Sequence, residues 1–527
     1  MKKLDRRSFL TTSTAAGFFV ATARTFGATT GPTVDTVSGK LRGASEGKVS
    51  SFKGIPYGAS TEGARFLPPA KVGAWTGVRD ALELGPASPQ NPSNLIPEAM
   101  ALQPKTDGAG TEDCLRLNVW TPGTRGKRPV MLWLHGGGFS AGSANWRLYD
   151  GANLAARHDV VVVTVNHRLN VFGYLHVADL GGQKFAQSSN LGMLDIVQAL
   201  EWVRDNIANF GGDPGNVTIF GQSGGGGKVS ALLGMPVAKG LFHRAIAMSG
   251  SLVRAVARDR ATQGATTFMA KLGLKPNEVD KLQKVGIAQM LEAMRGTQGL
   301  ELSPVIDART LPEGPFDPAA TSLTADIPLM IGSTETEVTW SVNTNYDPPD
   351  EAGLRARVKQ AMRVDDAAAN QVMAVYRKGR PKASNLDLAL ILETDVSNFR
   401  GGTDTIAERK AALRRAPVYK YYFQWYSPVR DGKPRAFHTV DIPFAFHNVD
   451  ITPSMVGTGA DRQPLADKVS GAWVAFARAG NPNHKGIPQW APFDADRRAT
   501  MIFNHECRAV NDPYGEERKA RAAARPA

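Results

Sequence analysis

Cysteine is nearly absent: the 527 residues contain two, Cys114 and Cys507. A disulfide framework is therefore excluded; two cysteines could form one bridge, but nothing requires it, and two free, largely buried thiols are expected. Clustered His and Cys residues and the His-Glu-x-x-His spacing are missing as well. Neither a structural nor a catalytic zinc has a ligand set, and no metal or cofactor is expected. No apolar run reaches the ~20 residues that a bilayer-spanning helix needs, so no membrane span is expected. Internal repeats and long Pro/Ser/Gly linkers are also lacking. What remains is 42% hydrophobic and 21% charged, the balance of a globular chain able to bury a large core.

The formal charge of +13 divides unevenly. Residues 1–28 hold five basic side chains and one acidic one, a net +4, which leaves +9 for the rest. That segment begins with Lys2 and Lys3, continues through Arg6-Arg7-Ser8-Phe9-Leu10, and ends in a short apolar run. It resembles the twin-arginine export signal of bacteria, which implies a protein that is exported, periplasmic or secreted. Arg518, Lys519, Arg521 and Arg525 fall in an Ala-rich tail and are read as a solvated, frayed end. Basic residues are not gathered on one face, and no nucleic-acid-binding motif is present, so no nucleic-acid partner is expected.

Short β-rich apolar runs recur at 130–135, 160–165, 217–220, 245–248, 328–331 and 418–425. Between them lie segments of helical period. In the clearest, 191–210, Leu194, Val197, Leu200, Val203, Ile207 and Phe210 repeat every three or four residues, and Gly211 and Gly212 end it. Alternating strands and helices predict an α/β fold: a mostly parallel sheet, helices on both faces, and ligands bound where strand C-termini open into loops. Residues 29–527 read as one domain, with helical insertions at about 255–325 and 345–415 roofing the site.

After the run 217–220 comes Gly221-Gln222-Ser223-Gly224-Gly225, then a helical segment. A serine on a sharp strand-to-helix turn needs glycines two before and two after it, because side chains there would collide. Its hydroxyl then stands at a helix N-terminus, where developing negative charge is favoured. Ser223 is accordingly the candidate nucleophile. The Walker pattern of phosphate loops fails here: Lys228 is followed by Val229. Upstream, the run 130–135 leads into Gly136-Gly137-Gly138-Phe139. The N–H groups of Gly137, Gly138 and Gly224 would form an oxyanion hole. The acid and base should follow the serine in that order. Glu335 and Glu337 both stand in the loop after 328–331, and His438 and His447 both follow 418–425.

These glycine motifs, with Phe52-Lys53-Gly54-Ile55-Pro56-Tyr57, Glu112-Asp113-Cys114-Leu115-Arg116-Leu117-Asn118-Val119, Asn166-His167-Arg168-Leu169 and Phe210-Gly211-Gly212-Asp213-Pro214, resemble the type-B carboxylesterase and cholinesterase-like family. The resemblance runs over most of the chain. It implies an α/β-hydrolase fold and a carboxylic ester hydrolase acting through an acyl-enzyme, with a small-molecule ester as partner. It selects Glu337 as the acid and His438 as the base, and it gives Ser249 a supporting role toward the acid. His447 is left as a packed or capping histidine.

Three positions depart from the family pattern. Gln222 stands where Glu is usual, Ser88 stands where a cysteine usually pairs with the equivalent of Cys114, and the stretch 88–114 holds no Phe, Tyr or Trp. Without an aromatic platform for a quaternary ammonium, and with one carboxylate fewer, neutral or anionic esters are expected over cationic ones. Two other functions fit the same residues: a catalytically idle binding protein on this fold, or an amide or lactam hydrolase using the same three side chains.

Overall fold

The computed structural model describes residues 29–524, so the expected export segment at 1–28 lies outside it. Its frame is one 13-stranded sheet. The strands are β1 (Thr29–Thr36), β2 (Gly39–Glu46), β3 (Val49–Pro56), β4 (Val78–Asp80), β5 (Arg116–Thr121), β6 (Arg128–Leu134), β7 (Val161–Val165), β8 (Gly212–Gln222), β9 (Arg244–Met248), β10 (Leu329–Thr334), β11 (Val418–Phe423), β12 (Ala499–Phe503) and β13 (Arg508–Asn511). Spatially they run β1-β2-β3-β5-β7-β6-β8-β9-β10-β11-β12-β13, with β4 beside β2. From β7 to β12 every neighbouring pair is parallel, whereas β1, β2, β3, β5 and β13 join antiparallel. The helices used below are α1 (Leu191–Asn206), α2 (Gly224–Leu232), α3 (Arg258–Lys271), α4 (Ile287–Met294), α5 (Glu351–Met362), α6 (Asp366–Gly379), α7 (Asn385–Val396), α8 (Asn398–Ala412), α9 (Arg462–Ala479) and α10 (Gly515–Ala524).

Strand side chains alternate between faces, so a sheet covered on both sides needs apolar residues at every position. The central strands meet this demand. Leu132, Val163, Ile219 and Ile331 point into a core shared with Ile196, Leu200 and Val203 of α1 and with Val229 of α2. Their neighbours Met131, Val162, Phe220 and Met330 point the other way, onto Leu465, Val469, Trp473 and Phe476 of α9. Burying a side chain of this size is worth about 2 kcal/mol. Packing across the two faces therefore outweighs any propensity of the individual elements.

Three details differ from the sequence reading. The helix expected over 191–210 is α-helical only to Asn206 and tightens into a 3₁₀ turn at Ile207–Phe210; Gly211, at φ 76°, ends it, and Gly212 already begins β8. The sheet extends through seven strands that carry no long apolar run, five of them before residue 122. The tail is not frayed up to residue 524. It forms α10, in which Glu517 is buried against Arg380, the residue just after α6, and Arg521 pairs with Asp395 of α7 at 2.8 Å. Both cysteines are free and buried, and burial pushes the Cys114 thiol up to about 12. The expected insertions are helical: α3 and α4 in one, α5 to α8 in the other. Among the described residues no helix is long and apolar enough to cross a membrane.

Candidate active site

β8 delivers Ser223 to the C-terminal edge of the sheet. The residue holds φ 57° and ψ −124° as the cap of α2, a conformation that L-residues adopt only where surroundings enforce it. Its amide donates to the Met248 carbonyl at 2.8 Å, and its carbonyl accepts from Gly227 at 2.9 Å, so both sides of the turn are held. The glycines are required by close approach. A Cβ on Gly221 would lie 2.6 Å from the carbonyl carbon of Gly225 and 2.7 Å from the Leu134 oxygen.

The turn after β6 packs against this elbow. Gly137 and Gly138 take φ 89° and 62°, open to glycine at no steric cost. The Gly137 carbonyl accepts from Ala141 at 3.0 Å, and the Gly136 carbonyl accepts from His135 Nδ1 at 2.9 Å. Among the described residues, the amides of Gly137, Gly138 and Gly224 have no acceptor. Three donors are thus left free beside the serine.

On the opposite side, His438 Nδ1 donates to Glu337 Oε2 at 2.5 Å, and the Thr334 amide donates to the other oxygen, Oε1, at 2.7 Å. The proton on Nδ1 leaves Nε2 as the basic nitrogen. Gln222 Nε2 is 3.3 Å from His438 Nε2 and 3.4 Å from Nδ1. Near-equal distances to both ring nitrogens put the amide over the ring face, in line with neither lone pair. Among the described residues the Ser223 hydroxyl makes no hydrogen bond to the imidazole; such contacts commonly tighten only when substrate binds.

The remaining candidates separate cleanly. Glu335 is buried away from the imidazole, paired to Arg380 at 2.7 Å and Gln424 at 2.9 Å. His447 bonds Asp467 at 2.7 Å and does not line the cavity at Ser223. Ser249 donates its amide to Gly332, at 2.8 Å, while its buried hydroxyl has no partner.

Several residues that sequence reasoning did not single out stand at this site. Phe399 lies against the His438 ring, with centroids 4.5 Å apart. Its neighbour Arg400, buried, donates to Ser333 Oγ at 2.7 Å and the Thr334 carbonyl at 2.8 Å, bracing the end of β10 from which the loop carrying Glu337 departs. Asp441 accepts from the Tyr421 hydroxyl at 3.1 Å; burial, then the charge of Glu337, pushes its carboxyl up to about 7. For Phe399 and Arg400 the only sequence signal is an aromatic and a cation side by side at the start of a helix in an insertion.

Ser223 and His438 open into one cavity of about 420 Å³. Its walls include Phe139, Trp146, Tyr149, Trp340 and Phe399, and among the described residues no Asp, Glu, Lys or Arg lines it. The fold and this elbow define an α/β-hydrolase. The model of the carboxylesterase family matches residues 30–521. The chain belongs to that family and is a serine carboxylesterase. It is 36% identical to the para-nitrobenzyl esterase of Bacillus subtilis (strain 168) over 92% of this chain and 97% of that one. It is 33% identical to the phenmedipham hydrolase of Pseudarthrobacter oxydans, over 90% and 96% respectively. Among solved structures, an esterase from Clostridium hathewayi that can hydrolyse aliphatic aromatic polyesters superposes with a TM-score of 0.81 at 36% identity, covering 94% of this chain and 98% of that one.

Proposed function

We propose that the chain hydrolyses carboxylic esters in two steps, with Ser223 as nucleophile, His438 as general base then acid, and Glu337 as the carboxylate that orients and stabilises the imidazolium. Ser223 Oγ attacks the ester carbonyl as His438 Nε2 takes its proton. The tetrahedral oxyanion is met by the amides of Gly137, Gly138 and Gly224. The imidazolium returns its proton to the departing alcohol, and water, activated in the same way, releases the acid and frees the serine. The observation that carries this reading is the buried 2.5 Å His438–Glu337 hydrogen bond facing the same cavity as the strained serine. Nitrophenol release from a short-chain nitrophenyl ester tests it. A fluorophosphonate should abolish release and add its mass to the peptide containing Ser223; labelling elsewhere overturns the assignment.

The cavity wall supports uncharged esters with an aromatic or bulky apolar group as substrates. Its surface offers aromatic faces and no fixed charge for either ion. The names of the relatives, a para-nitrobenzyl esterase and a polyester-hydrolysing esterase, agree with this class. Matched esters bearing no charge, a carboxylate or a trimethylammonium group should rank with the neutral ester highest in kcat/KM. A cationic preference would sink the substrate reading while leaving the mechanism standing.

A further inference from the structure

Lys228 is buried in α2, five residues after the nucleophile, and the reaction written above makes no use of it. Among the described residues no carboxylate pairs with it. Its titratable neighbours are His135 and His167, two buried imidazoles stacked 4.9 Å apart with an interplanar angle of 10°. Burial together with the Lys228 charge holds His135 down to about 3 and His167 well below its ordinary value, so both rings stay neutral and add no second charge beside the amine. Nζ donates to the Gly138 carbonyl at 2.8 Å and to the His135 carbonyl at 3.1 Å, and lies 5.4 Å from the centre of the Phe139 ring.

Those two carbonyls have a particular place in the chain. A trans peptide points its N–H opposite its C=O. The Gly137 and Gly138 donors therefore belong to the peptides whose carbonyls, on Gly136 and Gly137, are held by His135 Nδ1 and the Ala141 amide. The peptide just before this pair ends in the His135 carbonyl, and the one just after begins with the Gly138 carbonyl. One amine grips both, and it issues from the helix that supplies the third donor, Gly224. Without it, the flanking peptides would lose this anchor, and the orientation of a run of three conformationally free glycines would rest on the His135 Nδ1 and Ala141 bonds.

We propose that Lys228 is a positioning residue for ester hydrolysis: it clamps the peptides on either side of the oxyanion donors and so fixes the direction of the Gly137 and Gly138 N–H groups toward the reacting oxygen. The clamp rests on the oxyanion-hole reading above. It does not depend on charge, because an amine still has two hydrogens to donate. Packing gives no other reason for a lysine here. Burial lowers it to about 7, a sign that desolvation costs stability, and a methionine would fill the same space without that cost.

Lys228→Met tests the proposal, with neutral nitrophenyl ester turnover, inhibition by a trifluoromethyl ketone that forms a tetrahedral adduct on the serine, and thermal melting measured together. The expected result is a fall in kcat of about tenfold with KM within about twofold, and weakening of the ketone by the same factor as kcat/KM. Tm at pH 7 should be equal to or above that of the parent. Unchanged kcat/KM and unchanged ketone affinity overturn the clamp, as does a slower variant whose Tm falls while ketone affinity stays the same, since that marks a packing role. Should Lys228→Met not fold, Lys228→Leu carries the same comparison. A parallel Ser223→Ala separates the two layers. If it retains turnover, the mechanism fails and the clamp with it; if it is inert while Lys228→Met matches the parent, only the clamp fails.

Discussion

The side of the cavity that presents the Gly137, Gly138 and Gly224 amides comes from two short contiguous stretches, 135–142 and 221–228, and is held by backbone hydrogen bonds, glycine contacts and the local side chains of His135 and Lys228, whereas the side around His438 and Glu337 is assembled from β10, β11 and α8 through side chains from distant parts of the chain. Arg400 ties α8, which carries Phe399, to the last two residues of β10, from which the loop carrying Glu337 departs, and Arg400 itself is held by Asp395 at 3.2 Å and the face of Tyr422 at 4.0 Å. A contiguous turn keeps its shape when a distant side chain changes. An assembled one inherits every weakness of the ion pairs beneath it, so the two sides should fail in different ways.

The sharpest contrast lies within the assembled side. Glu337→Gln should lower kcat by about 10⁴, because the neutral amide can neither hold the Nδ1 tautomer nor stabilise the imidazolium. Glu335→Gln, two residues away, should change kcat no more than a few-fold, since its carboxylate serves Arg380 and Gln424. Steady-state turnover on one neutral ester decides it, and equal losses at the two positions would erase the distinction. Next in size comes Arg400→Leu. Removing one member of a buried ion-pair network leaves Asp395 with Arg521 as its one cation and the Tyr376 hydroxyl beside it, at a cost of about 3 kcal/mol, and it loosens the strand end from which the Glu337 loop departs. Urea denaturation should show that loss, with kcat down about tenfold; a variant as stable and as fast as the parent would mean that Arg400 braces nothing.

The same contrast governs what could be read from the sequence. Glycines required by backbone approach, as at Gly221, Gly137 and Gly138, leave a contiguous mark, so the elbow and the glycine turn after β6 were legible with their strands. The central parallel strands were legible too, since burial on both faces demands an unbroken apolar run. The edge strands were not: β1, Thr-Thr-Gly-Pro-Thr-Val-Asp-Thr, is largely polar and carries no such run. The choice between Glu335 and Glu337 needed a family resemblance, because both stand in one loop and only the partners waiting in space distinguish them. Arg400 and Phe399 left no signal of their role, since their partners lie over sixty and nearly forty positions distant. The tail read as solvated because charge and alanine look alike in a frayed end and in a helix whose Glu517 is buried against Arg380.

The smallest expected effect on turnover concerns Asp441, where the assembled side stores a cost in stability that depends on pH. Its carboxyl titrates near 3.8 when unfolded and is pushed up to about 7 in the fold by burial and the charge of Glu337. Between these values the folded state binds the extra proton, so this group makes the protein less stable as pH rises through that window, with the full penalty present above about 7 and none below 3.8. Asp441→Asn keeps the shape of the protonated acid and cannot ionise. The difference in Tm, variant minus parent, should therefore be near zero at pH 4 and grow through pH 7, with kcat at pH 6 altered by no more than about twofold. A Tm difference that shrinks as pH rises would reverse the sign and place the charge of this carboxylate among the groups that hold the site together.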